Sequence, residues 1–343
     1  MGNTLKCMKN DAVEQSRKRR GFGSGRSQKN MLKEEELLHR QALAMAIQQH
    51  QSSQRFDGSL SRRIGSSRRR DLTSDPLCKQ ALEIPESAKM TRFVLVHGEG
   101  FGAWCWYKIS AWLEEVGCRS VAIDLSASGV DLSDTSKISS MSDYCFPLVT
   151  FLKQLPETEK VILVGHSVGG ACISFAMEQF PEKIEKAVFV CAAMVSDGQK
   201  PFDVFANEFG SVERFMEQKQ FMVYGNGEGQ TPTGFVFEKQ QMKGLYMNQS
   251  PAKDIALWMA CMRATPLGPI IEKMALTRER YGACRRFYVQ TLDDVVLVAD
   301  AQEKMVRENP PERVFKIKGS DHCPFFSKPQ SLNKILIEIA TIP

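Results

Sequence analysis

The chain has 343 residues, 43% hydrophobic and 25% charged, a balance that excludes a largely disordered or fibrous protein. No apolar run reaches the roughly 18 residues that a membrane-spanning helix requires. The formal charge of +5 is uneven: residues 1–70 hold 16 Lys or Arg and 6 Asp or Glu, net +10, while the other 273 residues are net −5.

The leader, residues 1–90, consists of basic, Ser- and Gly-rich segments around one helical pattern. Arg17 to Arg20 form the first basic block, and GSLSRRIGSSRRR, ending at Arg70, forms the second. Such composition buries too little apolar surface to offset ordering entropy, so disorder is expected on either side of a marginal helix over 32–50. Rich in Arg and Ser and poor in acids, the leader reads as a transit peptide and the destination as a chloroplast. The start MGNTLKC offers an alternative, with Gly2 for myristoylation and Cys7 for a second acyl chain. Membrane contact is expected only in that case, and Lys6 stands where the acylation pattern wants Ser or Thr. A tail without specific function is the remaining alternative. The basic blocks lack aromatic interleaving, so nucleic acid is not an expected partner.

From Thr91 the pattern becomes globular. TRFVLVHGEGFG is a β-branched apolar run ending in glycines, a buried strand and its exit loop. WYKISAWLEEVGC predicts a helix, SVAIDLSASG a strand and MSDYCFPLVTFLKQL a helical stretch. KVILVGHSVGG predicts a strand running into a turn, ACISFAMEQFPEKI a helix and KAVFVCAAM a strand. Strands alternating with helices indicate an α/β fold with a mostly parallel central sheet covered on both faces. Residues 197–275 interrupt that alternation, rich in Phe, Met and Trp, and are expected to cap a pocket. RRFYVQT and RVFKIKG supply two further strands. The ten cysteines lack paired C-x-x-C spacing and are expected to be free thiols, most of them buried.

Gly165-His166-Ser167-Val168-Gly169 matches G-x-S-x-G directly after a strand and before a helix. A nucleophile at that turn sits in strained backbone, and side chains at Gly165 and Gly169 would crowd it. Ser167 is therefore the candidate nucleophile, and the Val168 backbone N–H at the helix start is one oxyanion donor. The backbone N–H of Glu99, in the loop HGEGFGAW, is the expected second donor, with His97 a structural histidine. Of five histidines, His39 and His50 lie in the leader and His166 in the turn. His322, in GSDHCPFFS after the last strand, is therefore the expected base. The acid should follow RRFYVQT, where Asp293 and Asp294 are both candidates; Asp321 is expected to shape the turn beside His322. No metal or organic cofactor is expected.

With these residues identified, the sequence resembles the plant methylesterase family of α/β hydrolases over residues 91–343, in a subgroup with long N-terminal extensions. FVLVHGEGFGAWCWYK, AIDLSASG, EKVILVGHSVGG, NQSP and KGSDHCPFFSKPQ carry the resemblance. It implies Ser167 and His322 in catalytic roles and assigns the acid, in a strand-end T-x-D pattern, to Asp294. Known members hydrolyse the methyl esters of indole-3-acetate, jasmonate and salicylate, so the implied partner is a small-molecule methyl ester. A slow or non-catalytic hormone-binding protein on the same fold is the alternative. Related hydroxynitrile lyases carry Thr after the loop histidine and Lys after the catalytic one; here those positions are Gly98 and Cys323. The lyase reading thus lacks its cyanide-stabilising groups.

Overall fold

The computed structural model describes residues 91–205, 210–218 and 221–343. The basic leader, with its expected helix over 32–50 and the Gly2 and Cys7 acylation sites, lies outside the described residues. Six parallel strands form the central sheet: β1 (Arg92–Val96), β2 (Arg119–Ile123), β3 (Val161–His166), β4 (Ile184–Val190), β8 (Arg286–Thr291) and β9 (Arg313–Ile317). Their order is β2-β1-β3-β4-β8-β9. The intervening β5 (Met222–Val223), β6 (Gly234–Phe235) and β7 (Thr265–Pro266) form a small antiparallel sheet of their own.

Helices Tyr107–Glu115, Phe146–Gln154, Gly169–Gln179, Ala299–Glu308 and Pro329–Thr341 follow or connect the central strands, as right-handed crossovers between parallel strands require. The inner strands β1, β3 and β4 therefore carry buried apolar runs. Phe93 to Val96, Val161 to Val164 and Ala187 to Val190 are fully buried, each large apolar side chain contributing about 1.5–3 kcal/mol relative to exposure. The helical stretch expected over MSDYCFPLVTFLKQL is in fact two helices, Met141–Tyr144 and Phe146–Gln154, meeting at Cys145. Pro147 has no N–H to continue the first helix and sits instead in the opening turn of the second. Ser140 and Asp143 close a capping box at the start of the first.

The eight described cysteines are all free thiols, six of them buried. Among the described residues no helix is long and apolar enough to cross a membrane.

The segment between β4 and β8 carries the small sheet and the helices Val212–Met216, Lys239–Tyr246 and Ala252–Cys261. It is fastened to the parallel-sheet body by Asp254, whose buried carboxylate accepts from Tyr107 Oη at 2.9 Å and from Lys108 Nζ at 2.5 Å.

Candidate active site

The parallel register gathers the loops that matter at one edge of the sheet. Val96 pairs with Gly165, so the loop leaving β1 lies beside the turn leaving β3. β8 and β9 are neighbours two strands further on, and their exit loops carry Asp294 and His322 to the same carboxyl-terminal edge.

Ser167 adopts φ +51°, the strained backbone expected at a nucleophile turn. Two carbonyl contacts pin it, with the N–H groups of Gly170 and Ala193 donating to its carbonyl at 3.0 and 2.9 Å. The glycines are required by close approach: a Cβ on Gly165 would lie 2.6 Å from the Gly169 carbonyl oxygen, and one on Gly169 2.5 Å from that of His97. Helix Gly169–Gln179 begins at this turn and aims its N-terminal end at the serine.

A continuous relay follows. Ser167 Oγ lies 2.8 Å from His322 Nε2, and His322 Nδ1 donates to Asp294 Oδ2 at 2.7 Å. All three side chains are buried. Asp294 is held by the N–H groups of Val296 and Leu297, both at 2.9 Å, and by Thr291 Oγ1 at 3.0 Å. Gln302 braces that loop from the following helix, taking the Thr291 N–H and donating to the carbonyls of Thr291 and Leu297. Asp293, the other acid left open by the sequence, instead accepts from the Gly319 N–H at 2.6 Å and shapes the neighbouring turn.

The other two described histidines, His97 and His166, make structural contacts. His97 Nδ1 donates to the Gly98 carbonyl at 2.8 Å, and its Nε2 accepts the Leu125 N–H at 3.1 Å. Burial holds its ring below the ordinary 6.5, which keeps it neutral. His166 donates from Nε2 to the His322 carbonyl at 2.7 Å and positions that loop. Asp321 accepts from Gln249 N, Ser250 Oγ and Cys323 N at 2.9, 2.8 and 3.0 Å, tying NQSP to the His322 loop. Asp124, which the sequence did not single out, holds the β1 exit loop by accepting the Ala103 N–H at 2.6 Å.

Burial is the largest single influence and disfavours a charged His322 ring, but Asp294 foremost, with Cys191, raises the imidazole well above 6.5. Cys191 beside it, pushed up to about 11 chiefly by burial, remains a neutral thiol and donates to the His322 carbonyl at 3.2 Å.

Glu99 reaches the site with its side chain. Its side chain folds back onto the nucleophile turn, with Oε1 3.1 Å from Ser167 Oγ and Oε2 accepting the Val168 N–H at 3.3 Å. Tyr246 Oη also donates to Oε1. The serine has one proton for two acceptors. A ring protonated at Nε2 leaves the hydroxyl only Glu99 to donate to, whereas a neutral His322 offers Nε2 as a second acceptor. The cavity at this point is about 20 Å³, the room of a single water, lined by Glu99, Val168 and the apolar side chains Phe202, Phe205, Phe215, Phe235, Phe237 and Ile270. A larger cavity of about 690 Å³ lies elsewhere, lined by Glu213, Glu217, Tyr224 and Glu228, and contains none of these groups.

A parallel sheet with a strained serine after its third strand, a histidine after its last and a carboxylate between them defines an α/β hydrolase of the serine type. The chain matches the alpha/beta hydrolase family over residues 93–335. It is 62% identical to the putative methylesterase 12, chloroplastic, of Arabidopsis thaliana, covering 100% of both chains. It is 38% identical to methyl jasmonate esterase 1 of Vitis vinifera over 72% of this chain and 95% of that one. Among solved structures, methylesterase protein MES16 from Arabidopsis superposes with a TM-score of 0.65 at 30% identity, covering 74% of this chain and 99% of that one. The chain belongs to the plant methylesterase family of α/β hydrolases, and it is a serine hydrolase of carboxylic ester bonds.

Proposed function

We propose that Ser167, His322 and Asp294 hydrolyse the methyl ester of a small carboxylic acid through an acyl-enzyme. The supporting observation is the unbroken relay, 2.8 Å from Ser167 Oγ to His322 Nε2 and 2.7 Å from Nδ1 to Asp294. Neutral His322 takes the hydroxyl proton as Oγ attacks the ester carbonyl, and Asp294 fixes the tautomer and stabilises the imidazolium. The backbone N–H groups of Val168 and Glu99 receive the oxyanion, each donor in comparable enzymes worth roughly 3 kcal/mol. Collapse of the tetrahedral adduct expels methoxide, which leaves as methanol with the proton from His322. Water, deprotonated by the same ring, then attacks the acyl-enzyme and releases the acid and Ser167. These residues need no metal or organic cofactor, and no nucleic acid enters the reaction.

In this reading residues 91–343 form one hydrolase domain, residues 197–275 its cap and residues 1–90 a leader directed to the chloroplast. Phe202, Phe205, Phe215, Phe235 and Phe237 present an apolar wall suited to an aromatic or alicyclic acyl group. The methyl esters of indole-3-acetate, jasmonate and salicylate are the substrates to compare. Methanol release from at least one of them is expected at kcat/KM above 10³ per molar per second, a modest figure for an enzyme. The Glu99 contact with Ser167 is the one observation that favours a slow hormone-binding protein instead. Release no faster than that of Ser167→Ala on every ester would decide for the binding protein.

A fusion of residues 1–90 to a fluorescent reporter is expected to enter chloroplasts. A plasma-membrane signal that disappears with Gly2→Ala would replace the transit reading with an acylated anchor.

A further inference from the structure

The seat that an ester carbonyl oxygen must take is already filled. A carbonyl oxygen bound for reaction needs the Val168 N–H and a position beside Ser167 Oγ, and the Glu99 carboxylate holds both, at 3.3 and 3.1 Å. Glu99 is thus placed as a free carboxylic acid product would be, and the two cannot occupy the seat together.

Displacing Glu99 leaves a specific deficit. The Val168 N–H passes to the substrate and the Ser167 hydroxyl turns to His322, so the carboxylate keeps only its bond from Tyr246. Tyr246 cannot follow it far, because its ring packs edge-on against His322 with centroids 4.9 Å apart. Elsewhere the cavity offers Glu99 only phenylalanines and Ile270. Glu99 is 5% exposed, so water does not readily replace the lost donors. A buried carboxylate stripped of hydrogen bonds is strongly disfavoured unless new donors arrive with the ligand.

Resting on the ester-hydrolase reading, we infer that Glu99 sets the substrate class. Between otherwise matched esters the site favours the one bearing a hydroxyl or N–H donor on the carbon beside the carbonyl, and it discriminates against free carboxylates. A donor at that carbon lies next to the carbonyl oxygen that displaces Glu99, and so meets the carboxylate where it is pushed. A free acid instead brings a second negative charge to the same seat.

The test reads binding, not turnover, so that it stands apart from the hydrolysis claim. Methyl mandelate and methyl phenylacetate differ by one hydroxyl on the carbon beside the carbonyl. Calorimetric titration of the full-length Ser167→Ala protein is expected to show the better mandelate enantiomer bound at least fivefold more tightly than methyl phenylacetate. In Ser167→Ala/Glu99→Ala the preference is expected to vanish, and the mandelate anion to gain at least fivefold in affinity. A preference below fivefold, binding of neither ester, an undiminished preference without Glu99 or no gain by the anion overturns the inference. If Glu99→Ala does not fold by circular dichroism, Glu99→Gln replaces it; it keeps the shape without the charge, and the preference must then fall at least threefold. Wild-type protein that shows the preference but releases no methanol would refute ester hydrolysis and leave the selectivity standing.

Discussion

Ser167→Ala is expected to lower kcat on any accepted methyl ester by about 10⁴- to 10⁶-fold while leaving KM within a few-fold, because the proposed nucleophile is lost and the apolar wall is not. The residual rate is what Val168 and the second backbone donor supply to water attack without a covalent intermediate. The substitution is also structurally quiet. The strained φ of +51° is carried by the turn and its bonds from Gly170 and Ala193, all of which are backbone and survive the change. Alanine removes one oxygen and with it the hydroxyl bonds to His322 and Glu99. The melting temperature is therefore expected to move by no more than a few degrees, which separates loss of chemistry from loss of fold. Initial rates of methanol release, with melting curves on the same preparations, decide the matter. A variant retaining more than a tenth of the wild-type kcat would remove Ser167 from the mechanism.

The sequence made some of this site legible because certain constraints are local. A nucleophile turn needs glycine on either side of the serine, a five-residue pattern, and a Cβ at Gly165 or Gly169 would indeed come within 2.6 Å of the Gly169 carbonyl oxygen or 2.5 Å of that of His97. The alternation of strands and helices is likewise a local pattern, and it led to the parallel sheet. The two-helix break at Cys145 has little sequence signal, because apolar spacing runs through MSDYCFPLVTFLKQL and only a single proline interrupts it. Asp293 and Asp294 could not be separated by the residues alone, since adjacent positions in a turn point in different directions that depend on the register after β8. The fold resolves them by sending one to Gly319 and the other to His322. Tyr246 and Gln302 left no comparable signal. Tyr246 acts on Glu99 from 147 positions away, and nothing near either residue encodes that meeting. Glu99 lies in the β1 exit loop, and the direction of its carboxylate depends on Tyr246 and the Val168 N–H, which only the assembled fold brings together.

The same two aspartates carry the second large effect. Asp294→Asn is expected to reduce kcat by about 10³- to 10⁴-fold, since an amide in place of the carboxylate no longer fixes the tautomer or stabilises the imidazolium. Asp293→Asn, which alters only the turn contact to Gly319, is expected to stay within threefold of wild type. The pH profile gives an independent readout. In the proposed mechanism His322 must be neutral to take the Ser167 proton, and Asp294 is the foremost of the groups that hold its ring well above 6.5 against burial. In the wild-type enzyme kcat/KM should therefore fall as pH falls through that raised value, placing the acid limb above 6.5. In Asp294→Asn the raising charge is gone and burial remains, so the limb should move to lower pH even as the plateau drops. The stability consequence has the opposite pH sense. A histidine raised on folding contributes stability that is fully present below 6.5 and lost as pH rises through the folded value, so Asp294→Asn should cost most stability at low pH. An acid limb unmoved by Asp294→Asn, or an Asp293→Asn variant as impaired as Asp294→Asn, would reverse the assignment of the acid.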